Sequence, residues 1–142
     1  MIIDTHCHLD FTDFQDDFSS MLNNAKKNNV LGMQTICTKI EEFPKILNIA
    51  SKQSNIWCSV GTHPHNAEDE EHISKEYILE LCNNAKVIGI GETGLDYFYE
   101  NSKRDVQIKS LYKHIEVSRK TSLPLIIHAR DADDDIIEIL TT

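Results

Sequence analysis

Apolar residues fall into short continuous runs that alternate with stretches of helical spacing. The chain opens on Ile2-Ile3 and runs into Asp4-Thr5-His6-Cys7-His8, which reads as a strand. Phe14, Phe18, Met21, Leu22 and Ala25 then recur at helical intervals and predict an amphipathic helix ending near Asn28-Asn29. Val30 to Cys37 is a second strand, followed by a helix marked by Phe43, Ile46, Leu47 and Ala50. Ile56 to Gly61 is a third strand, and Tyr77, Ile78, Leu81, Cys82 and Ala85 give the helix after it. Val87 to Glu92 is the fourth strand, with a helix carrying Ile108, Leu111, Tyr112 and Ile115. Leu123 to His128 is the fifth, with Pro124 tolerated only near its start. A last helix carries Ile136, Ile137 and Leu140, capped by Asp131 or a neighbour and acidic in its first turn.

Strand and helix therefore alternate five times, which predicts an α/β fold with a parallel sheet and right-handed crossovers. Element count alone leaves two architectures open, a flavodoxin-like doubly wound sheet and part of a (βα)8 barrel. The 142 residues, 40% of them hydrophobic, suffice for one domain with a sizeable core. A net charge of −9 offers no broad basic surface for nucleic acid, so any contact with phosphate must be local. Cys7, Cys37, Cys58 and Cys82 are widely spaced, each in or beside an apolar run, and read as buried free thiols in a reducing compartment. No basic leader precedes an apolar stretch and no run reaches membrane-spanning length, so a soluble cytoplasmic protein without membrane contact is expected.

The chemically active residues gather where strands end: His6 and His8, then Thr62-His63-Pro64-His65, then Glu92 and Gly94-Leu95-Asp96-Tyr97, then His128 and Arg130. In parallel α/β folds these ends share one face, where sites are built. His6 and His8, two apart on a strand, project to the same side with Cys7 opposite. They read either as a metal grip or as surface histidines near a terminus. His6, His8, Glu92 and His128 together offer the mixed nitrogen and oxygen ligation that suits Zn²⁺, Mn²⁺ or a similar ion. Glu92 has two oxygens with which to bridge two ions, and a two-metal site suits phosphodiester hydrolysis. His63 and His65 stand either for substrate contact and acid/base help or for loop packing. Arg130 is either a phosphate ligand or part of a structural salt bridge. Gly89, Gly91 and Gly94 lack the following Gly-Lys-Ser/Thr of a phosphate-binding loop.

Four stretches taken together resemble the TatD family of metal-dependent deoxyribonucleases, within the amidohydrolase-like TIM barrels. They are Asp4-Thr5-His6-Cys7-His8-Leu9-Asp10, Gly61-Thr62-His63-Pro64-His65, Gly91-Glu92-Thr93-Gly94-Leu95-Asp96-Tyr97 and Pro124-Leu125-Ile126-Ile127-His128-Ala129-Arg130. The resemblance implies that His6, His8, Glu92 and His128 are ligands of two divalent ions (Zn, Mg or Mn), with Glu92 shared. It implies that Glu92 and His63 are catalytic, and that His63, His65, Asp96, Tyr97 and Arg130 face a DNA or other phosphodiester substrate. The carboxylated lysine of related amidohydrolases has no counterpart, because Glu92 stands in its place.

A complete barrel has eight βα units and needs about 250 residues. Residues 1–142 thus correspond to the N-terminal portion, a partial (βα)8 barrel of five units. A further histidine and aspartate ligand of the family would lie beyond Thr142. Open edges at the first and fifth strands are expected, to be covered by a second chain or dimer partner if the barrel is completed in trans. Beside the deoxyribonuclease reading stand an inactive or partner-completed barrel fragment, and a hydrolase of other esters or amides in the same superfamily.

Overall fold

The computed structural model describes residues 1–12 and 17–141. Five parallel strands pair in chain order: β1 (Ile2–Cys7), β2 (Val30–Thr35), β3 (Ile56–Val60), β4 (Val87–Asp96) and β5 (Leu125–Arg130). Helices α1 (Phe18–Lys27), α2 (Phe43–Ser51), α3 (Lys75–Leu81) and α4 (Arg104–Thr121) connect them, and α5 (Asp133–Thr141) follows β5. A doubly wound sheet reverses direction at a switch point. Here each strand pairs with the next one in sequence, and the five units form an open half-barrel.

Local chemistry sets the element ends. Pro44 occupies the first turn of α2, where a missing N–H costs nothing. Ser74 caps α3 by accepting the Tyr77 amide at 3.1 Å. Lys26 and Lys27 close α1, Arg119 and Lys120 close α4, and Asp133 to Asp135 open α5, each matching the sign of the helix end. Phe18, Met21, Leu22 and Ala25 of α1 pack on the main core with Ile46, Ala50, Ile56, Val60, Ile78 and Ile90. A second cluster joins Leu95, Leu111, Ile115, Ile136 and Ile139 at the β5 end. Phe14, assigned to the first helix by its spacing, lies outside the described residues. None of the helices among the described residues is long and apolar enough to cross a membrane.

Some boundaries differ from the sequence pattern, for identifiable reasons. β4 continues to Asp96 rather than ending at Glu92, because Thr93 to Asp96 pair with Ile127 to Arg130 of β5. The glycines that resemble a loop are strand residues there, and His128 and Arg130 lie within β5 rather than after it. β5 starts after Pro124, whose carbonyl still accepts the Ile90 amide at 2.9 Å. α3 ends at Leu81 and leaves Ala85 exposed outside it. In α5 the inner face carries Ile136 and Ile139, while Ile137 and Leu140 are exposed. All four cysteines are free, and burial pushes the thiols of Cys7, Cys37 and Cys58 up to about 12.

Two glycines let the strand ends converge. A Cβ on Gly61 would stand 2.4 Å from the Gly91 Cα, so the chain at the end of β3 touches the middle of β4 backbone to backbone. Gly94 has φ +145°, and a Cβ there would stand 2.0 Å from the His128 carbonyl oxygen. Close to this convergence His114 of α4 is wholly buried, 1% exposed. Its Nε2 accepts the Thr62 amide at 3.1 Å, so its proton is on Nδ1 and is donated to the Ser110 carbonyl at 2.8 Å. Burial above all, with some help from the nearby Lys113 charge and some opposition from the Ser110 carbonyl, pushes His114 down to about 4.

Gly61→Ala is expected to destabilise the fold by about 2 kcal/mol or more, since backbone cannot move aside as a side chain can. Gly32→Ala meets the side chains of Ile3 and Trp57 at 3.3 Å and the Asn55 carbonyl only at an ordinary 3.7 Å, and should cost much less. Urea midpoints of the two variants check this, and equal losses would contradict it. His114 is held neutral in the fold, so its contribution to stability is complete above its ordinary value of 6.5. That contribution drains away as the pH falls towards about 4, amounting to ~3 kcal/mol in all. Between pH 7 and 4.5 the wild type should therefore lose about 2–3 kcal/mol more than His114→Gln in denaturant titrations. Parallel losses would show that His114 does not titrate this way.

Candidate metal centre

Four strand ends supply the site. His6 lies near the end of β1 with His8 just beyond it, Glu92 within β4 and His128 within β5. His63 and His65 flank Pro64 in a turn after β3, where the His63 amide donates to the Thr38 carbonyl at 2.9 Å. Glu92 is 8% exposed and is the meeting point. Its Oε2 lies 3.4 Å from His6 Nε2, and its Oε1 lies 3.2 Å from His128 Nδ1. The Glu92 amide is anchored on the Cys37 carbonyl at 2.9 Å.

Asp96 orders the histidines on the β5 side. It is fully buried, and its Oδ1 accepts the Phe98 and Tyr99 amides at 3.2 and 2.9 Å. Its Oδ2 lies 2.8 Å from His65 Nε2 and 3.0 Å from His128 Nε2. Burial alone would raise this acid, but the Tyr99 amide and the two imidazoles outweigh it and hold Asp96 at about 2. A carboxylate there accepts from His128 Nε2 and so turns Nδ1 of the same ring to Glu92. His63 Nδ1 accepts the His65 amide at 3.2 Å, which puts the His63 proton on Nε2, 3.2 Å from His128 Nδ1. Burial, reinforced by the neighbouring imidazoles of His128 and His65, pushes His63 down to about 3, so it is neutral near pH 7.

Two groups of side chains have donor atoms within 4.8 Å of one another, His6 with His8 and Glu92, and His63 with Glu92 and His128. Glu92 belongs to both. His8 Nδ1 is buried and has no hydrogen-bond partner among the described residues. An orphaned imidazole nitrogen beside a carboxylate that faces two further ring nitrogens is a set of atoms able to turn lone pairs to a cation. Imidazole and carboxylate donors of this kind fit a borderline divalent ion.

The structure thus brings together His6, His8, Glu92, His128 and His63, with His65 and Asp96 directly behind them. The remaining expected residues stand further out. Tyr97 is half-buried, its hydroxyl donating to Asp135 at 2.6 Å and its ring stacked 4.1 Å under the Arg104 guanidinium. Arg130 is exposed, its guanidinium 5.1 Å over the Tyr99 ring. Three supporting residues were not found from the sequence: Gln107, His114 and Glu70. Gln107 Oε1 accepts the Asp96 amide at 2.7 Å, and buried Glu70 accepts the Thr62 hydroxyl at 2.6 Å. The available signal was two polar residues, Gln107 and His114, one heptad apart on either side of Leu111 along α4. Glu70 carried none, since it lies in an acidic run that reads as a solvated face.

The family described as TatD related DNase matches residues 3–142. An uncharacterized metal-dependent hydrolase of Buchnera aphidicola subsp. Baizongia pistaciae is 37% identical over 145 residues, covering 98% of this chain and 53% of that protein. The metal-dependent hydrolase YabD of Bacillus subtilis is 31% identical over 140 residues, covering 99% and 55%. The 3'-5' ssDNA/RNA exonuclease TatD of Salmonella typhimurium is 27% identical over 139 residues, covering 98% and 54%. The crystal structure of YjjV, a TatD homolog from Escherichia coli, superposes with a TM-score of 0.91 at 30% identity, covering 99% of this chain and 55% of that one. The chain therefore spans about half the length of the relatives it matches. Its matched residues and its half-barrel place it with one group: the chain belongs to the family of TatD-related DNases.

Proposed function

We propose that residues 1–142 are the N-terminal portion of a barrel enzyme that hydrolyses phosphodiesters of DNA, with divalent metal as cofactor. The observation that carries this reading is the placement of Glu92, whose two oxygens face ring nitrogens from opposite sides of the half-barrel, His6 and His128. His6, His8, Glu92 and His128 would hold two ions, with Glu92 common to both. Bound there, divalent ions supply an activated water and neutralise charge on the phosphate oxygens.

The chain's own residues have separable tasks in this reading. Asp96 fixes His128 through Nε2 and so aims Nδ1 at the ligand side, the role that a carboxylate behind a ligating histidine commonly has. It is therefore proposed as an orienting group, in place of the substrate contact expected from the sequence. His63 remains neutral and presents an Nε2–H, a donor for a phosphate oxygen when His128 Nδ1 is otherwise engaged. His65, held by Asp96, stiffens the turn behind His63. Arg130 is exposed, and its planar fork suits a phosphate further along the strand. The relative named as an ssDNA/RNA exonuclease supports a nucleic-acid substrate.

Glu92→Gln keeps the shape of the side chain and removes its charge, and should lower kcat on oligodeoxynucleotides at least about 100-fold. Asp96→Asn should lower it about 10- to 100-fold. Chelation should abolish hydrolysis and Mn²⁺, Mg²⁺ or Zn²⁺ restore it. Full activity of Glu92→Gln, or of chelated protein, would refute the reading. Turnover of small esters or amides but of no oligonucleotide would assign the chain to another chemistry of the superfamily.

A further inference from the structure

The buried face of α4 is unusually polar. Val106, Leu111, Ile115 and Val117 share it with Gln107, Ser110 and His114, and Gln107 and His114 are 0% and 1% exposed. Spacings of three and four place Gln107, Ser110 and His114 in one row along the helix. Burying such groups is costly unless each is paired, and pairing them fixes a single register where apolar side chains could slide.

Each end of this row grips a segment of the site, one the end of β4 and the other the turn after β3. Past Ile90, the last β4 residue paired with β3, the strand runs on to Asp96 without that neighbour. Gln107 takes the neighbour's place. Its Oε1 accepts the Asp96 amide at 2.7 Å, and its Nε2 donates to the Asp96 carbonyl at 3.2 Å and to the Ser102 carbonyl at 2.7 Å. A side-chain amide carries the same donor and acceptor as a peptide group, so Gln107 pairs with Asp96 as a strand would. Two turns on, His114 Nε2 accepts the Thr62 amide at 3.1 Å, one residue before His63. The Thr62 hydroxyl is held on Glu70, whose other oxygen accepts the Glu41 amide at 2.9 Å.

We propose that α4 is a brace for the site, in which Gln107 and His114 are positioning residues that set where Asp96 and His63 stand relative to His128. Gln107 fixes the backbone of Asp96, and Asp96 in turn carries both His65 and His128 on one oxygen. His114 fixes Thr62, the residue just before the His63-Pro64-His65 turn. One rigid helix thus registers the end of β4 and this turn against each other, and a shift at either grip changes the His63–His128 distance. As regards catalysis the proposal rests on the phosphodiesterase reading, while its structural part stands independently of it.

Gln107→Leu and His114→Phe keep the bulk and remove the pairing. Each is expected to lower kcat on an oligodeoxynucleotide about 10- to 100-fold while KM moves less than about threefold. Hydrogen exchange at Asp96 should quicken in the first variant and at Thr62 in the second. His114→Gln, which offers both an acceptor and a donor, should recover most of the rate. Rates that fall only with the folded fraction, unchanged exchange at both amides, or no recovery with His114→Gln would overturn the proposal. If a variant does not fold, ¹⁵N NMR of the wild-type imidazole decides: Nε2 of His114 must be bare and Nδ1 protonated, and the reverse overturns it. A wild type inert on every phosphodiester would refute the catalytic reading alone, because the exchange and NMR outcomes still decide whether the brace exists.

Discussion

A buried carboxylate set between imidazoles is a constraint on everything around it. Glu92 faces His6 with one oxygen and Nδ1 of His128 with the other, at 3.4 and 3.2 Å. The neighbouring His63 stays neutral down to about pH 3 and adds no positive charge. Lone pairs at such distances repel unless a cation or a proton stands among them. His128 Nε2 is turned to Asp96, which leaves its Nδ1 on the Glu92 side. A divalent cation is the charge that this donor set accommodates.

The fold serves that constraint through close approach of backbones. Gly61 against Gly91 joins the end of β3 to the middle of β4, and Gly94 against the His128 carbonyl joins β4 to β5. With no side chain in these contacts, residues from three strands converge on Glu92. β4 is the longest strand, and its last residues carry the site, with Glu92 at its middle and Asp96 at its end. The second core cluster and the polar row of α4 lie directly behind that extension. β4 therefore supplies both the central carboxylate of the site and part of the scaffold behind it.

Most of the fold was legible because apolar runs and helical stripes alternate so regularly. The strand order was open from element count and is settled by the pairing of each strand with its successor. The end of β4 was misjudged because Gly94 suggests a loop, whereas its positive φ serves a close strand contact. The histidines and Glu92 stood out because four strand ends sharing one face carry His or Glu, which separate structural roles explain poorly even though each His alone has one. Asp96 was seen, but its burial was not: a single acid after Gly-Leu looks the same whether it faces substrate or holds two imidazoles. Gln107 and His114 were missed because helical periodicity was followed through Ile108 and Tyr112, a phase shifted by about one residue from the true buried face. Only the partners, the backbones of Asp96 and Thr62, show why polar residues stand there, and those lie 11 and 52 positions away in the chain.

The relatives are about twice as long, and this half-barrel holds four of the proposed ligands on strands one, four and five. The account makes the Glu92 carboxylate the common anchor of the ions, so their location is the decisive observation. Anomalous diffraction from crystals of the protein grown with Mn²⁺ or Zn²⁺ measures it directly. The account predicts peaks beside both oxygens of Glu92, one towards His6 and His8 and the other towards His128 Nδ1. Fully loaded crystals with peaks only at other residues, and with Glu92 still facing His6 and His128 as here, would contradict it.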